Sequence, residues 1–189
     1  MILFKKRIIQ LFLLFIALFI YGCGVSNFYV LSTASEPRKI SNHLKGAIGV
    51  EKVTLPEYLF KHEVAIAKSD SEVSFISSAA WAEDLDTGLT RRLISFLQKK
   101  FNQPNVHAYP WGVDKQPKYK IKVDVTRFIA QGDHVYLDAT WDIEDLHKNR
   151  HRSQLFSTKI ETSSDTSAIV SAMNSAFGEL EVAIANGLQ

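Results

Sequence analysis

The chain has 189 residues, of which 22 are basic and 20 acidic, for a formal charge of +2. Lys5, Lys6 and Arg7 supply three of those positive charges, so from Cys23 onward 19 basic residues face 20 acidic ones. That balance leaves no net positive field to gather phosphates and excludes nucleic acid as a partner, and one cysteine excludes a disulfide framework.

The first 22 residues read as a secretory signal. A basic start is followed by an unbroken apolar run from Leu11 to Ile20 and a small residue, Gly22, at the cut point. Ile20-Tyr21-Gly22-Cys23 resembles the bacterial lipobox. The resemblance implies thioether diacylation of Cys23, cleavage between Gly22 and Cys23, and acylation of the new amine. Two other readings stand beside it. An uncleaved transmembrane anchor needs about 20 apolar residues, and Ile8 to Tyr21 is shorter and contains Gln10. A plain secreted protein leaves an unpaired thiol in an oxidising compartment. Gly24 follows the cysteine where, in lipoproteins of enteric type, Asp directs retention in the inner membrane. The resemblance therefore implies the outer membrane, with the globular part on its periplasmic face. Residues 23–27 form a short lipidated tether, and 28–189 have the size of one domain.

Phe28 to Leu31 has strand composition. Ala34 to Leu44 is polar and carries Pro37, a loop pattern. In Ala47 to Leu55, Ile48 and Val50 alternate, then Val53 and Leu55; the change of parity around Glu51-Lys52 predicts a bulge. Pro56 ends that strand, since proline has no N–H to give a ladder. Glu63 to Ala67 and Glu72 to Ser77 predict a hairpin around Lys68 to Ser71. Trp81, Leu85, Leu89, Leu93, Leu97 and Phe101 recur every four residues and predict a helix over 81–101. Glu83, Asp84 and Asp86 at its start and Lys99-Lys100 at its end suit the helix dipole. Asn102 and Pro104 stop it.

A short strand over Val106 to Tyr109 leads into the turn Pro110-Trp111-Gly112. Tyr119 to Thr126 and Val135 to Glu144 alternate apolar and polar residues around Gln131-Gly132-Asp133. A polar turn from His147 to Arg152 precedes a third strand, Leu155 to Thr162. These read as an antiparallel meander with one face buried and one wet, on which Lys120 and Lys122 can pair with Asp138 and Asp142. Asp165 to Asn186 predicts a second helix, capped by Ser164 or Asp165. Ile169, Met173, Ala176, Phe177, Leu180 and Ile184 form its buried stripe, and Asn186-Gly187 its stop. The order predicts an α+β fold: an antiparallel sheet covered on one face by two helices.

Several stretches together resemble one family. They are the lipobox, Phe28-Tyr29-Val30-Leu31, Ile48-Gly49-Val50, Leu55-Pro56-Glu57-Tyr58-Leu59, Trp81-Ala82-Glu83-Asp84-Leu85, Tyr109-Pro110-Trp111, Trp141, and Ala172-Met173-Asn174. In this order they resemble the PqiC and YmbA-like auxiliary lipoproteins of MCE-type (mammalian cell entry) lipid transport systems. The resemblance implies a lipoprotein that meets a periplasmic tunnel of MCE domains, acts in docking or assembly with a homo-oligomeric ring as one arrangement, and performs no catalysis. Family members often carry Asp-Arg after the Tyr-Leu; here Phe60-Lys61-His62 follows instead.

The residues offer little for chemistry. His147 and His151 have zinc-like spacing only on a helix, and here they fall in a basic turn with no third ligand. The carboxylates at 83, 84 and 86 are explained by the helix dipole. Ser77-Ser78 has no Gly-x-Ser-x-Gly frame, no glycine-rich phosphate loop exists, and Cys23 is consumed by lipid. No catalytic residue, metal or cofactor is expected. The candidate partner-binding residues are Pro56, Tyr58, Leu59, Phe60, Tyr109 and Trp111, two apolar proline-marked loops in a chain whose other turns are polar; aromatics placed so are either anchors that close the core or exposed contacts at an interface. The competing functions are assembly or plugging of an outer-membrane β-barrel, and a small periplasmic hydrolase.

Overall fold

The computed structural model describes residues 27–33, 35–41, 44–111 and 116–189. Gly22 and Cys23 lie outside them. In chain order the elements are β1 (Asn27–Tyr29), β2 (Ile48–Glu51), a 3₁₀ turn (Glu57–Phe60), β3 (Glu63–Ser69), β4 (Glu72–Trp81), α1 (Leu85–Phe101), β5 (Val106–Tyr109), β6 (Tyr119–Gln131), β7 (His134–Asp145), β8 (Arg150–Glu161) and α2 (Thr166–Gly187).

The eight strands form one mixed sheet, not the purely antiparallel one that the alternation suggested. β3–β4, β6–β7 and β7–β8 run antiparallel, as hairpins must. β1–β4, β2–β5, β2–β6 and β3–β6 are parallel. Alternation reveals which face a strand buries but not the direction of its neighbours. Here the long excursion through β3, β4 and α1 brings the later strands beside β2 in the same sense.

β6 is the spine. One of its edges carries β7 along its whole length. The other is shared by β2, beside Tyr119 to Ile121, and β3, beside Ala130 and Gln131. The parity change in β2 is a real bulge. Val50 lies opposite Ile121 and Thr54 opposite Asp124, so four steps along one chain match three along the other. The extra residue restores Val53 and Leu55 to the buried side. The N–H of Val53, displaced from the ladder, donates to Thr90 Oγ1 of α1 at 2.9 Å, and Thr90 donates onward to the Asp86 carbonyl at 2.5 Å. Lys52 reaches the Asp86 carboxylate at 2.6 Å. The bulge thereby ties the sheet to the first turns of α1.

Both helices contribute to the core on one face of the sheet, with Leu89, Leu93, Phe96 and Leu97 of α1 and Met173, Phe177, Leu180 and Ile184 of α2 buried. α1 begins at Leu85 rather than Trp81. Trp81 ends β4 instead, opposite Tyr29, and donates its N–H to the His62 carbonyl at 2.7 Å; it is buried all the same, so the four-residue recurrence ran across a strand–helix junction. Asp84 is the extended residue before the helix, and Asn102 closes it in the left-handed conformation (φ 46°). β8 begins at Arg150, five residues before the expected start. Its first half is exposed on both faces, pairs with β7 and is tied to the end of α2 through Arg152, which donates to the Gly187 carbonyl at 3.2 Å, so it shows no alternation. Asp165 caps α2 by accepting from the Ala168 N–H. Gly187 does not act as a left-handed stop. A Cβ there would come within 2.5 Å of the Trp141 ring, so glycine allows the helix end to press on Trp141.

Candidate functional site

The two proline-marked loops occupy different places. The 3₁₀ turn crosses the gap on the β6 edge between β2 and β3. Its register leaves the Phe128 N–H without a strand partner, and Tyr58 fills that need: Phe128 N–H donates to the Tyr58 hydroxyl at 3.1 Å. Burial pushes the Tyr58 phenol pKa up, against the opposing pull of this hydrogen bond. Leu59 is buried in the core, Pro56 and Tyr58 are half-buried, and Phe60 is 52% exposed. Of this segment Phe60 is the exposed aromatic. Tyr58 and Leu59 hold the turn to the sheet.

Tyr109 and Trp111 form the second place. Tyr109 ends β5 opposite Glu51, on the sheet face away from the helices. The Tyr109–Pro110 peptide is cis. Trp111 meets Tyr109 and His107 edge to face, with ring centroids 5.9 and 5.8 Å away. Its seat is Gly49, where a Cβ would fall 2.9 Å from the indole and 3.1 Å from both Tyr109 and Pro117. The Lys120 ammonium lies 5.9 Å from the Tyr109 ring and 2.6 Å from Glu144. Tyr109 is thus level with the start of β6, and Tyr58 with Phe128 towards its end, a separation of about 20 Å at strand rise. The structure does not bring the two loops into one patch.

The wet face of the meander pairs charges in register, with some partners changed from expectation. Lys122 lies opposite Asp142, while Lys120 faces Glu144 and Asp138 faces Arg127. His151 sits in β8, 3.4 Å from Asp142, rather than in a turn with His147. Asp145 closes the β7–β8 turn by accepting from the N–H groups of His147 and Lys148. Among the described residues no group of three or more His, Cys, Asp or Glu is placed to hold a metal.

Sequence reasoning missed the buried polar centre of the molecule. Arg92 on α1 and Glu181 on α2 are both fully buried and meet at 3.1 and 3.2 Å through two parallel contacts. Arg92 also donates to the Leu31 carbonyl, the Ser35 hydroxyl, and the Asn174 side chain and carbonyl. Every guanidinium hydrogen is used, as a buried arginine requires. Burial pushes the Glu181 carboxyl above its usual range, and Arg92 and Ser35 offset only part of that. A legible signal existed. Arg92 lies between Leu89 and Phe96, and Glu181 between Phe177 and Ile184, each on its helix's apolar stripe, with opposite charges. The contacts to Leu31 and Ser35 fasten the segment just after β1, so the domain is pinned close to the point where the chain enters it.

The comparisons with known proteins agree with this architecture. Two solved structures share the fold. One, the crystal structure of an uncharacterized protein, is 21% identical and aligns over 87% of this chain and 99% of its own with a TM-score of 0.70. The other, from Xanthomonas campestris, is 16% identical and aligns over 84% and 92% with a TM-score of 0.70. At these identities the likeness shows the fold alone. No curated protein matches the chain. The family model for the ABC-type transport auxiliary lipoprotein component matches residues 29–185, from β1 through nearly all of α2. A match of that extent includes the bulged β2, the turn that carries Tyr58, the Tyr109–Trp111 corner and both helices of the Arg92–Glu181 pair, and by it this chain belongs to the ABC-type transport auxiliary lipoprotein family.

Proposed function

We propose that this chain is the outer-membrane lipoprotein of an MCE-type intermembrane lipid transport system, anchored by acyl chains on Cys23 and facing the periplasm. Its role in this reading is docking or assembly, without catalysis. The observation that carries it is the family match to a transport auxiliary lipoprotein, beginning only a few residues after a cysteine set in a lipobox-like sequence. The anchor confines the domain to a thin layer and so raises its effective concentration for a tunnel protein arriving from the inner membrane. The partner-facing residues in this reading are Phe60, on the turn held by Pro56, Tyr58 and Leu59, and the Tyr109–Trp111 corner. A homo-oligomeric ring around the tunnel is part of the same proposal, and the edge of β8, which pairs with β7 alone among the described strands, offers ladder groups to a neighbouring copy.

Affinity purification of the native acylated protein, with mass spectrometry of what co-purifies, tests the reading. A captured protein with repeated MCE domains supports it, and an outer-membrane β-barrel in its place supports the rival assembly role. Mass spectrometry of the N-terminal peptide tests the anchor: an intact leader or a bare thiol at Cys23 ends this reading.

A further inference from the structure

The sheet face turned away from the helices is polar along most of the meander but apolar towards the β1–β4 edge. Ala65, Ala80 and Ile129 are buried yet stand outside the core beneath the helices. Each alternates with residues that do belong to that core, so each points to the opposite face. Around them lie Phe28, opposite Ala80, and Phe75, opposite Ala65, with Val73 two residues before Phe75. Phe28 is 67% exposed, and Val73 and Phe75 are 41% exposed. Phe28 lies beside Ala80, five residues along β4 from Phe75, so these exposed apolar side chains form a row along the β1–β4 edge of that face, and such a row calls for a covering.

The position of this edge names the covering. β1 runs parallel to β4, with Asn27 level with Ala79. Four residue steps separate Asn27 from Cys23, a reach of at most about 14 Å. Phe75 is four steps from Ala79 along β4, a comparable distance. Acyl chains on Cys23 would therefore enter a bilayer within one short tether's length of Phe28 and Phe75. In the adjoining β3–β4 turn Lys68 pairs with Glu72 at 3.7 Å, while the Asp70 carboxylate accepts from the neutral Gln131 amide and keeps its charge, so the turn brings one net negative charge beside the patch.

We propose that the apolar surface formed by Phe28, Val73 and Phe75 rests on the lipid surface that holds the anchor. The inference rests on acylation of Cys23 and adds an orientation to it. The β3–β4 turn and this patch lie against the bilayer, and the β7–β8 turn at the other end of the sheet points away from it. The membrane contact then fixes which surface of the domain remains open to a partner.

The test uses the full acylated protein. With Cys23 carrying lipid, a cysteine introduced elsewhere is the only free thiol. Phe75→Cys, Phe28→Cys and Lys148→Cys proteins are labelled with an environment-sensitive NBD fluorophore on vesicles of phosphatidylethanolamine and phosphatidylglycerol. The expected result is blue-shifted emission and several-fold stronger quenching by doxyl-labelled lipid at positions 28 and 75 than at 148. Protein that sediments with vesicles but shows equal, water-like signals at all three positions overturns the orientation while leaving the anchor intact. Labels at 28 and 75 that are shielded from iodide yet untouched by doxyl lipid also overturn it, because protein then covers the patch. Protein that lacks the diacylglyceryl mass and stays in the supernatant instead defeats the anchor reading itself.

Discussion

Arg92 and Glu181 face each other across the two helices through a two-point ion pair, both fully buried. Removing one partner of such a pair leaves a stranded buried charge, whereas replacing both with apolar groups removes the desolvation cost as well. Arg92→Ala or Glu181→Ala should lower unfolding free energy by about 3–5 kcal/mol in chemical denaturation. Arg92→Met combined with Glu181→Leu should recover most of that loss. A double variant as unstable as either single one would show that the contacts of Arg92 to Leu31, Ser35 and Asn174, rather than the ion pair, dominate.

Tyr58 separates a structural role from a recognition role. Tyr58→Phe keeps the ring and removes only the acceptor for the Phe128 N–H. An unmade hydrogen bond to a partly buried backbone group should cost about 1–3 kcal/mol. The same protein, folded below its lowered midpoint, should capture the MCE partner as well as the parent does. Loss of capture at full folding would give the hydroxyl a direct part in binding.

The elements that sequence made legible were those whose side chains report one-sided burial. The β2 bulge was visible because Val50 and Val53 fall on opposite parities. α2 was visible within one residue at each end because its stripe is unbroken and Asp165 caps it. Parallel pairing left no mark, since strand direction is decided by remote connections. The first half of β8 was hidden because residues exposed on both faces carry no period. Trp81 misled because a residue buried at the end of a strand can fall in step with the helix after it. In the candidate site, exposure of Phe60 and burial of Leu59 depend on how the turn crosses the β6 edge, which local pattern does not encode.

Asp86 sets an acid limit at the bulge. Burial pushes its carboxyl up, but hydrogen bonds from Lys52 and Thr87 outweigh that and hold its pKa below the usual carboxylate range. A depressed folded-state pKa contributes stability that is present above the unfolded value, near about 3.9, and is lost as pH falls through the folded value. Asp86→Asn should therefore be less stable than the parent at neutral pH, and the difference should shrink below about pH 4. Urea midpoints measured across pH 2.5 to 7, on the scale set by that reference pKa, read this directly. A gap that stays constant through the acid range would show that the Asp86 charge does not hold the bulge.

Gly49→Ala reaches the Tyr109–Trp111 corner from beneath, without changing either aromatic residue. The added Cβ would lie 2.9 Å from the indole and 3.1 Å from Tyr109 and Pro117, so the rings must move. Overpacking of this kind costs about 1–3 kcal/mol. Gly49 faces away from the helices, so the core beneath them should stay intact and the far-ultraviolet circular dichroism unchanged. Tryptophan emission should shift, because Trp111 is the indole displaced while Trp81 and Trp141 remain buried in the core. If the corner meets the tunnel protein, capture should fall more than it does for Tyr58→Phe. Undiminished capture alongside a clear emission shift would move the contact elsewhere, leaving Phe60 as the exposed aromatic of the two loops still to be tested.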